Sequence, residues 1–470
     1  MYSLIRVAGV VSVMLCAVQP AALHAQDGHL TSVVAVDLSL SEAYARARRR
    51  SPILRAQRAG VVAADFGQRR ASARRLPQLS ARGSLDWVDH SVDGDYFGIA
   101  DIDVSDGFER NAVAITLRQE LYRADLAAES RLAALARRGA ELSLAEAELA
   151  FLIGVTRDYF AVVGALERVR FHRAELQATD EQFRLISERA KSGLERDADV
   201  AAARASRESA AAELLDSENE LLGARLKLEI TIGSSYQQIA TLPPGTPLPA
   251  LQPEQMDDWV ERALQSRPSL AAARELEAAA DIGVQRAKAE RLPRLDLVGS
   301  FLQFDQDGGV SGAREDRDMR IGLELRLPLF SGGGVSAGID QADALLSQAQ
   351  AEADATQFAL RATVQRAYLL AAGGQAQIEA RQKALEAAIE SERAAQAGFD
   401  VGTRTAAFWL NSTRERYRAE RSLATARVDY LLALLQLKAS AGTLSVDDLI
   451  RSSQLLRFAE REKTDAGAGS

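Results

Sequence analysis

Residues 401–420, VGTRTAAFWLNSTRERYRAE, gather side chains that can cap, pair and pack within a few positions of one another. Gly402 tolerates a left-handed turn, Thr403 or Thr405 can cap a helix start, Arg404 carries charge, and Phe408 and Trp409 are adjacent aromatics. A second stretch, KSGLERDADVAAARA (191–205), has the same layout around Gly193, with Asp197 and Asp199 where carboxylates suit the positive end of a helix. Neither stretch offers a nucleophile beside a base. Past the first 25 residues the histidines are His29, His90 and His172, scattered and without metal-ligand spacing. The expectation is therefore no enzyme: no catalytic residue, no cofactor-binding residue and no metal site. On the residues alone, Asp199 reads as a helix-start carboxylate and Arg404 as a solvated surface arginine.

The elements that position these corners repeat. ASARRLPQLSARGSL (71–85) parallels AKAERLPRLDLVGSF (287–301), and ITLRQELYR (115–123) parallels LELRLPLFS (323–331). Gly193 and Gly402 stand in matching places, as do Gly233 and Gly442, so one unit of roughly 210 residues occurs twice. Of the eleven prolines, none lies between Pro77 and Pro243 and none follows Pro328. The Ala-, Leu- and Glu-rich tracts 124–190 and 335–397 are thus free of the strongest helix breaker, and each predicts a helix of roughly 95–100 Å. Helices that long require lateral partners. Gly139, Gly154, Gly164 and Gly373–Gly374 read as bends within them. Shorter return helices are expected over 198–232 and 405–441. The domain reading is a signal peptide over 1–25, a first repeat over 26–240, a linker over 241–255, a second repeat over 256–449 and a flexible tail over 450–470.

Ahead of each long helix comes a pair of alternating segments. Leu79, Ala81, Gly83, Leu85 and Trp87 share one face, and so do Val113, Ile115 and Leu117. In the second copy Leu295, Leu297, Gly299 and Phe301 form one greasy face, and Met319, Ile321, Leu323, Leu325 and Leu327 another. HSVDGDYFGIADIDVSDGFER (90–110) and DQDGGVSGAREDRD (305–318) read as polar loops. The chain opens with Arg6, an apolar run from Val7 to Val18 and a cleavage site after Ala25, although Leu23 stands where a small residue is usual. Its only cysteine, Cys16, lies inside that segment. With 57 Lys and Arg against 65 Asp and Glu, the chain is mildly acidic and a poor binder of nucleic acid. An exported chain with strands of membrane length fits a barrel wall, yet four strands cannot close one, so several chains must contribute.

RLPQLSARGSL, LELRLPLFSGGGVSAGIDQA, SGLERDADVAAARA and VGTRTAAFWLNSTRERYRAERSLATARVDYLLALLQLKASAGTL resemble the TolC-type outer-membrane efflux and secretion channels over most of the chain, from about Leu38 to Leu449. The resemblance implies an α+β membrane protein. Its homotrimeric 12-stranded β-barrel, four strands from each chain, is continued by a long periplasmic α-helical barrel. It implies a passive exit duct in the Gram-negative outer membrane, working with a periplasmic adaptor and an inner-membrane transporter of RND or ABC type. Export of small toxic molecules comes first and type I protein secretion is the alternative. A periplasmic coiled-coil adaptor or adhesin outside the membrane is the weaker third reading. The corners become the periplasmic tip, hinged at Gly193 and Gly402 and lined by Asp199, Phe399, Arg404, Phe408 and Asn411. Asp199 falls on an acidic tip position of the family, and Arg404 on an arginine that ties helices in the closed tip, a role that implies an acidic partner, Asp199 or Asp400. Phe408 and Asn411 stand where members closed by rings of aspartate carry acids. Phe408 would then close the pore by excluding water, or else Phe408 or Trp409 packs between helices or docks the adaptor. The 241–255 linker and the stretch after Gly442 imply a belt around the tube.

Overall fold

The computed structural model describes residues 37–96, 100–308 and 312–458, and the expected signal peptide lies outside them. The first half runs α1 (Leu40–Arg50), α2 (Pro52–Ala73), β1 (Gln78–Tyr96), β2 (Ala100–Tyr122), α3 (Ala124–Lys191) and α4 (Asp197–Ile232). The second half repeats the order as α5 (Met256–Ser266), α6 (Pro268–Ala289), β3 (Arg294–Gln306), β4 (Arg314–Arg326), α7 (Gly334–Asp400) and α8 (Ala406–Ser440), with α9 (Val446–Leu455) following. The duplicated pattern of the sequence is thus present as a duplicated order of elements.

α3 and α7 are single helices of 68 and 67 residues, about 100 Å each at 1.5 Å per residue. Both pass through the glycines expected to bend them, and Gly374 has a packing role, since a Cβ there would stand 2.8 Å from the Tyr430 ring of α8. Neither helix stands alone. α3 packs on α2, α4, α6 and α8, and α7 on α5, α6 and α8. α3 also contains an 18-residue window with a mean hydropathy of 1.6, enough by length and composition to cross a membrane. That apolar middle is taken up by the core, because Leu152, Val155, Tyr159, Phe160 and Val163 are buried against α1, the end of α4, α8 and α9.

The four strands form one antiparallel sheet in the order β1-β2-β3-β4. Leu79 pairs with Leu117, which faces Gly299, which faces Ile321, so a single row across all four strands is apolar. The adjacent row Ser80, Thr116, Ser300, Arg320 is polar. The apolar face is uncovered: Leu79, Leu85, Trp87, Met319, Ile321, Leu323 and Leu325 are all exposed. The outer edges of β1 and β4 have no strand partner among the described residues. In water, an open sheet with a bare greasy face and two free edges is an aggregation template.

Of the first expected loop, residues 90–96 and 100–110 are strand. Pairing continues from Trp87 opposite Glu109 up to Tyr96 opposite Ala100, so the first hairpin rises about ten pairs, roughly 30 Å, beyond the β3–β4 hairpin. Asp and Gly are depleted in strands and pointed to a loop. A ladder already started lower in the hairpin is carried on by main-chain groups that every residue possesses. In the second copy the interruption is short, between Gln306 and Arg314.

A belt crosses the middle of the helices. Leu38 bridges to Ile239, and Thr241 to Arg457. The Tyr159 hydroxyl lies 3.1 Å from the Leu38 carbonyl and 3.2 Å from that of Ala240. Tyr430 donates to the Pro249 carbonyl at 2.8 Å, and the Trp259 indole to that of Pro253 at 2.9 Å. The tail expected to be flexible from residue 450 is folded up to Phe458. Ser445 and Asp448 form a capping box that starts α9, and Leu449 and Leu456 bury against α1 and α8. Residues 459–470 lie outside the described residues.

Candidate functional site

Each long helix ends in the same main-chain device. At the first corner the Gly193 N–H donates to the Ala190 carbonyl at 2.9 Å and the Leu194 N–H to that of Arg189 at 2.9 Å. At the second, Gly402 donates to Phe399 at 3.0 Å and Thr403 to Gly398 at 2.8 Å. This is the Schellman pattern, which needs a left-handed residue after the helix, and φ is +73° at Gly193 and +77° at Gly402. Gly398 serves the second corner too: a Cβ there would lie 2.5 Å from Arg404 Cγ. The turn can therefore fold the Arg404 stem down over the last helical turn only where that side chain is missing.

The return helices start differently. Thr405 caps α8, its hydroxyl oxygen accepting from the Phe408 N–H at 3.3 Å. α4 begins without a side-chain cap and has Asp197 and Asp199 in its first turn. The buried Asp199 carboxylate accepts from Arg196 Nε at 2.9 Å and from its terminal nitrogen at 3.3 Å. Asp199 is thus engaged within its own turn and does not meet Arg404. Arg404 makes no ion pair among the described residues, and its guanidinium lies 4.6 Å from the centre of the Phe408 ring, cation over aromatic face.

The two corners are held together by a small core of Ile186, Ala203, Ala395, Phe399, Ala406, Trp409 and Leu410. Phe399 is 2% exposed, stacked on Trp409 with ring centres 5.1 Å apart, and Arg189 of α3 lies 4.5 Å above it. This corrects its place among the expected pore residues. Phe399 is at the tip but inside it, because the Schellman turn directs the last helical turn of α7 toward α8 and α3. Phe408 and Asn411 remain on the surface of the chain, Phe408 at 41% exposure, in a stripe with Arg404, Glu415 and Arg418. The alternative that Trp409 packs between helices describes what it does, and Phe408 does not share that core. Arg189 and the buried bond from Gln182 of α3 to Thr413 of α8, 2.7 Å, had no signal in the sequence. Their partners lie more than 200 residues away.

One further polar group crosses between the two halves farther from the tip. The absence of metal-ligand spacing among the histidines holds along the chain but not in space, because the fold brings Glu175 and Glu213 to His172. Burial first, and then the neighbouring Arg421 charge, hold the His172 imidazole below its usual range. Burial, reinforced by Glu213, pushes the Glu175 carboxyl up. The His-x-x-Glu spacing of 172 and 175 is the local signal that marks this group.

A family model described as Outer membrane efflux protein matches residues 43–234 and 259–443. The chain is 30% identical over 357 residues, 74% of its own length and 81% of the relative's, to Outer membrane protein TolC of Vibrio cholerae. It is 27% identical over 294 residues to Proteases secretion protein PrtF of Dickeya chrysanthemi, covering 61% of this chain and 63% of that one. Among solved structures, that of CusC, described by conformational changes accompanying folding and transmembrane channel formation, superposes with a TM-score of 0.75 at 19% identity. The likeness spans 87% of this chain and 93% of CusC.

Proposed function

The chain belongs to the outer membrane efflux protein family, and on that premise we propose that three copies build one conduit across the outer membrane and periplasm. The chain is an outer-membrane exit channel for efflux, with a long helical extension into the periplasm. The observation that carries the trimeric reading is the sheet. One chain supplies four strands with a bare apolar face and two unpaired edges, and hydrocarbon tolerates neither an edge nor a partial barrel. Three copies joined edge to edge give twelve strands, within the range of closed barrels. α3, α4, α7 and α8 then continue the wall as a helical tube to the paired corners, about 100 Å from the sheet along α3 and α7.

At the tip, Phe408 is the aromatic that the single chain leaves uncovered, whereas Phe399 and Trp409 are consumed by packing. Three Phe408 rings converging on an axis close a tube by dewetting rather than by binding cations. Arg404 lying over that ring would hold it in place, and Asn411 follows on the same stripe.

The cargo is small toxic molecules, delivered by an inner-membrane transporter of RND or ABC type through a periplasmic adaptor. Type I protein secretion is the second reading, favoured by the likeness to a protease secretion protein. Crosslinking in cells followed by purification tests the assembly and separates the two. The expected outcome is a heat-modifiable trimer that conducts in planar bilayers and brings down a drug transporter with its adaptor. Recovery of a protein exporter instead would select secretion, and a monomer without conductance would overturn the conduit.

A further inference from the structure

His172 and Glu175 stand one turn apart on α3, and Glu213 reaches them from α4. His172 Nδ1 lies 3.4 Å from a Glu213 carboxylate oxygen and 3.6 Å from one of Glu175. These separations are long for hydrogen bonds. They match instead the edge of a tetrahedron, roughly 3.4 Å, whose corners stand about 2.1 Å from a central ion, the distance of imidazole and carboxylate ligands from zinc. His172 and Glu175 are each 6% exposed, and the Glu175 carboxylate accepts no hydrogen bond among the described residues. Arg421, Arg414 and Arg418 act on this carboxylate from a distance, but among the described residues no arginine or lysine forms an ion pair with it, so the buried charge has room for a closer cation.

We propose that His172, Glu175 and Glu213 form a binding site for one divalent cation of the zinc class per chain. An imidazole with two carboxylates suits zinc and its first-row neighbours better than calcium or magnesium, which favour larger all-oxygen sets. Three protein ligands leave a fourth position for water. Glu213, 42% exposed at its side chain, provides the way in. No role in the transport path is needed for this site to exist, and it stands apart from the tip.

Arg421 of α8 gives the site its second property. Its guanidinium lies 2.7 Å from His172 Nε2 and, having only protons to offer, makes that nitrogen an acceptor. A neutral imidazole bound to a cation through Nδ1 carries its proton on Nε2, donor against donor with Arg421. Cation and Arg421 therefore compete for one ring. When the ion enters, Arg421 must leave, and Glu213, already 3.9 Å away, is the nearest carboxylate to receive it. The site straddles the seam between the two repeats, α3 and α4 on one side and α8 on the other. Filling it undoes one of the bonds that clasp α8 to α3.

The test uses the full chain, extracted from membranes, stripped with chelator and titrated with Co²⁺ as a visible probe, then with Zn²⁺. One Co²⁺ per chain with the intense visible bands of tetrahedral coordination, displaced by Zn²⁺, is expected. Glu175→Gln should abolish those bands. Glu213→Gln, altering a half-exposed group that the fold does not depend on, should weaken binding about tenfold or more, a change of roughly 1.4 kcal/mol or more. Arg421→Gln removes the competitor and should bind Co²⁺ at least tenfold more tightly. Parent protein without tetrahedral bands, parental binding in Glu213→Gln, or weaker binding in Arg421→Gln would each overturn the assignment.

Discussion

Leu323 lies inside the apolar row of β4, opposite Leu297 and between Ile321 and Leu325, with 66% of its surface exposed in the single chain. Nothing else among the described residues covers it. If this face meets lipid, Leu323→Arg places a guanidinium in hydrocarbon at a cost of about 2–4 kcal/mol near mid-bilayer. A threefold assembly carries the substitution three times, so the cost per trimer is roughly 6–12 kcal/mol. A domain is stable by only about 5–15 kcal/mol, so such a cost should empty the membrane of assembled protein. The control is Ser80→Arg on the opposite face, in the polar row with Thr116, Ser300 and Arg320, where an added arginine meets water. The assay is the amount of heat-modifiable trimer extracted from outer membranes at equal expression. Leu323→Arg should fall severalfold or more and Ser80→Arg should stay near the parent. Equal yields from the two variants, whether both normal or both low, would refute the assignment of faces.

Phe399→Ala should loosen the tip by about 3–5 kcal/mol, since a ring at 2% exposure leaves a cavity between Trp409 and Arg189; rapid proteolysis or amide exchange confined to the corners would report it. Phe408→Ala should leave that protection unchanged and raise the resting conductance of the purified trimer, and Phe408→Asp should create a divalent-cation block that the parent lacks. Gly402→Ala forces a left-handed alanine into the Schellman turn and should cost roughly 1–2 kcal/mol in the same protection assay. For Asp448, burial alone would raise the carboxyl, but hydrogen bonds from Lys438 and Ser445 outweigh it and hold the group below the usual range. Its contribution is therefore complete above the unfolded value near 4 and lost as pH falls through the folded one, so α9 should become protease-sensitive only below about pH 4, and at higher pH in Lys438→Met. A peptide tag inserted after Gly94, near the end of the long first hairpin, should be labelled on intact cells; labelling that needs a broken outer membrane would reverse the topology.

The sequence by itself determined the architecture that depends on periodicity and punctuation. Proline-free Ala- and Leu-rich tracts became α3 and α7, alternation marked the greasy face of every strand, and glycines set both corners, because each is a local rule acting within a few residues. The paired stretches also disclosed the duplication. Local rules misread the Asp-rich first hairpin, where pairing inherited from the strand below overrode composition, and the tail, where a capping box and two leucines found a core built from the other end of the chain. At the tip, the sequence supplied Phe399, Phe408 and Trp409 within ten positions of one another but could not say which was buried. Only the tertiary structure decided that, by the angle at which one Schellman turn sends α8 back along α7 and toward α3. It also decided that Asp199 pairs with Arg196 rather than Arg404, and that His172, Glu175, Glu213 and Arg421 meet. Packing brings together groups up to 249 residues apart, and no spacing along the chain encodes such a distance.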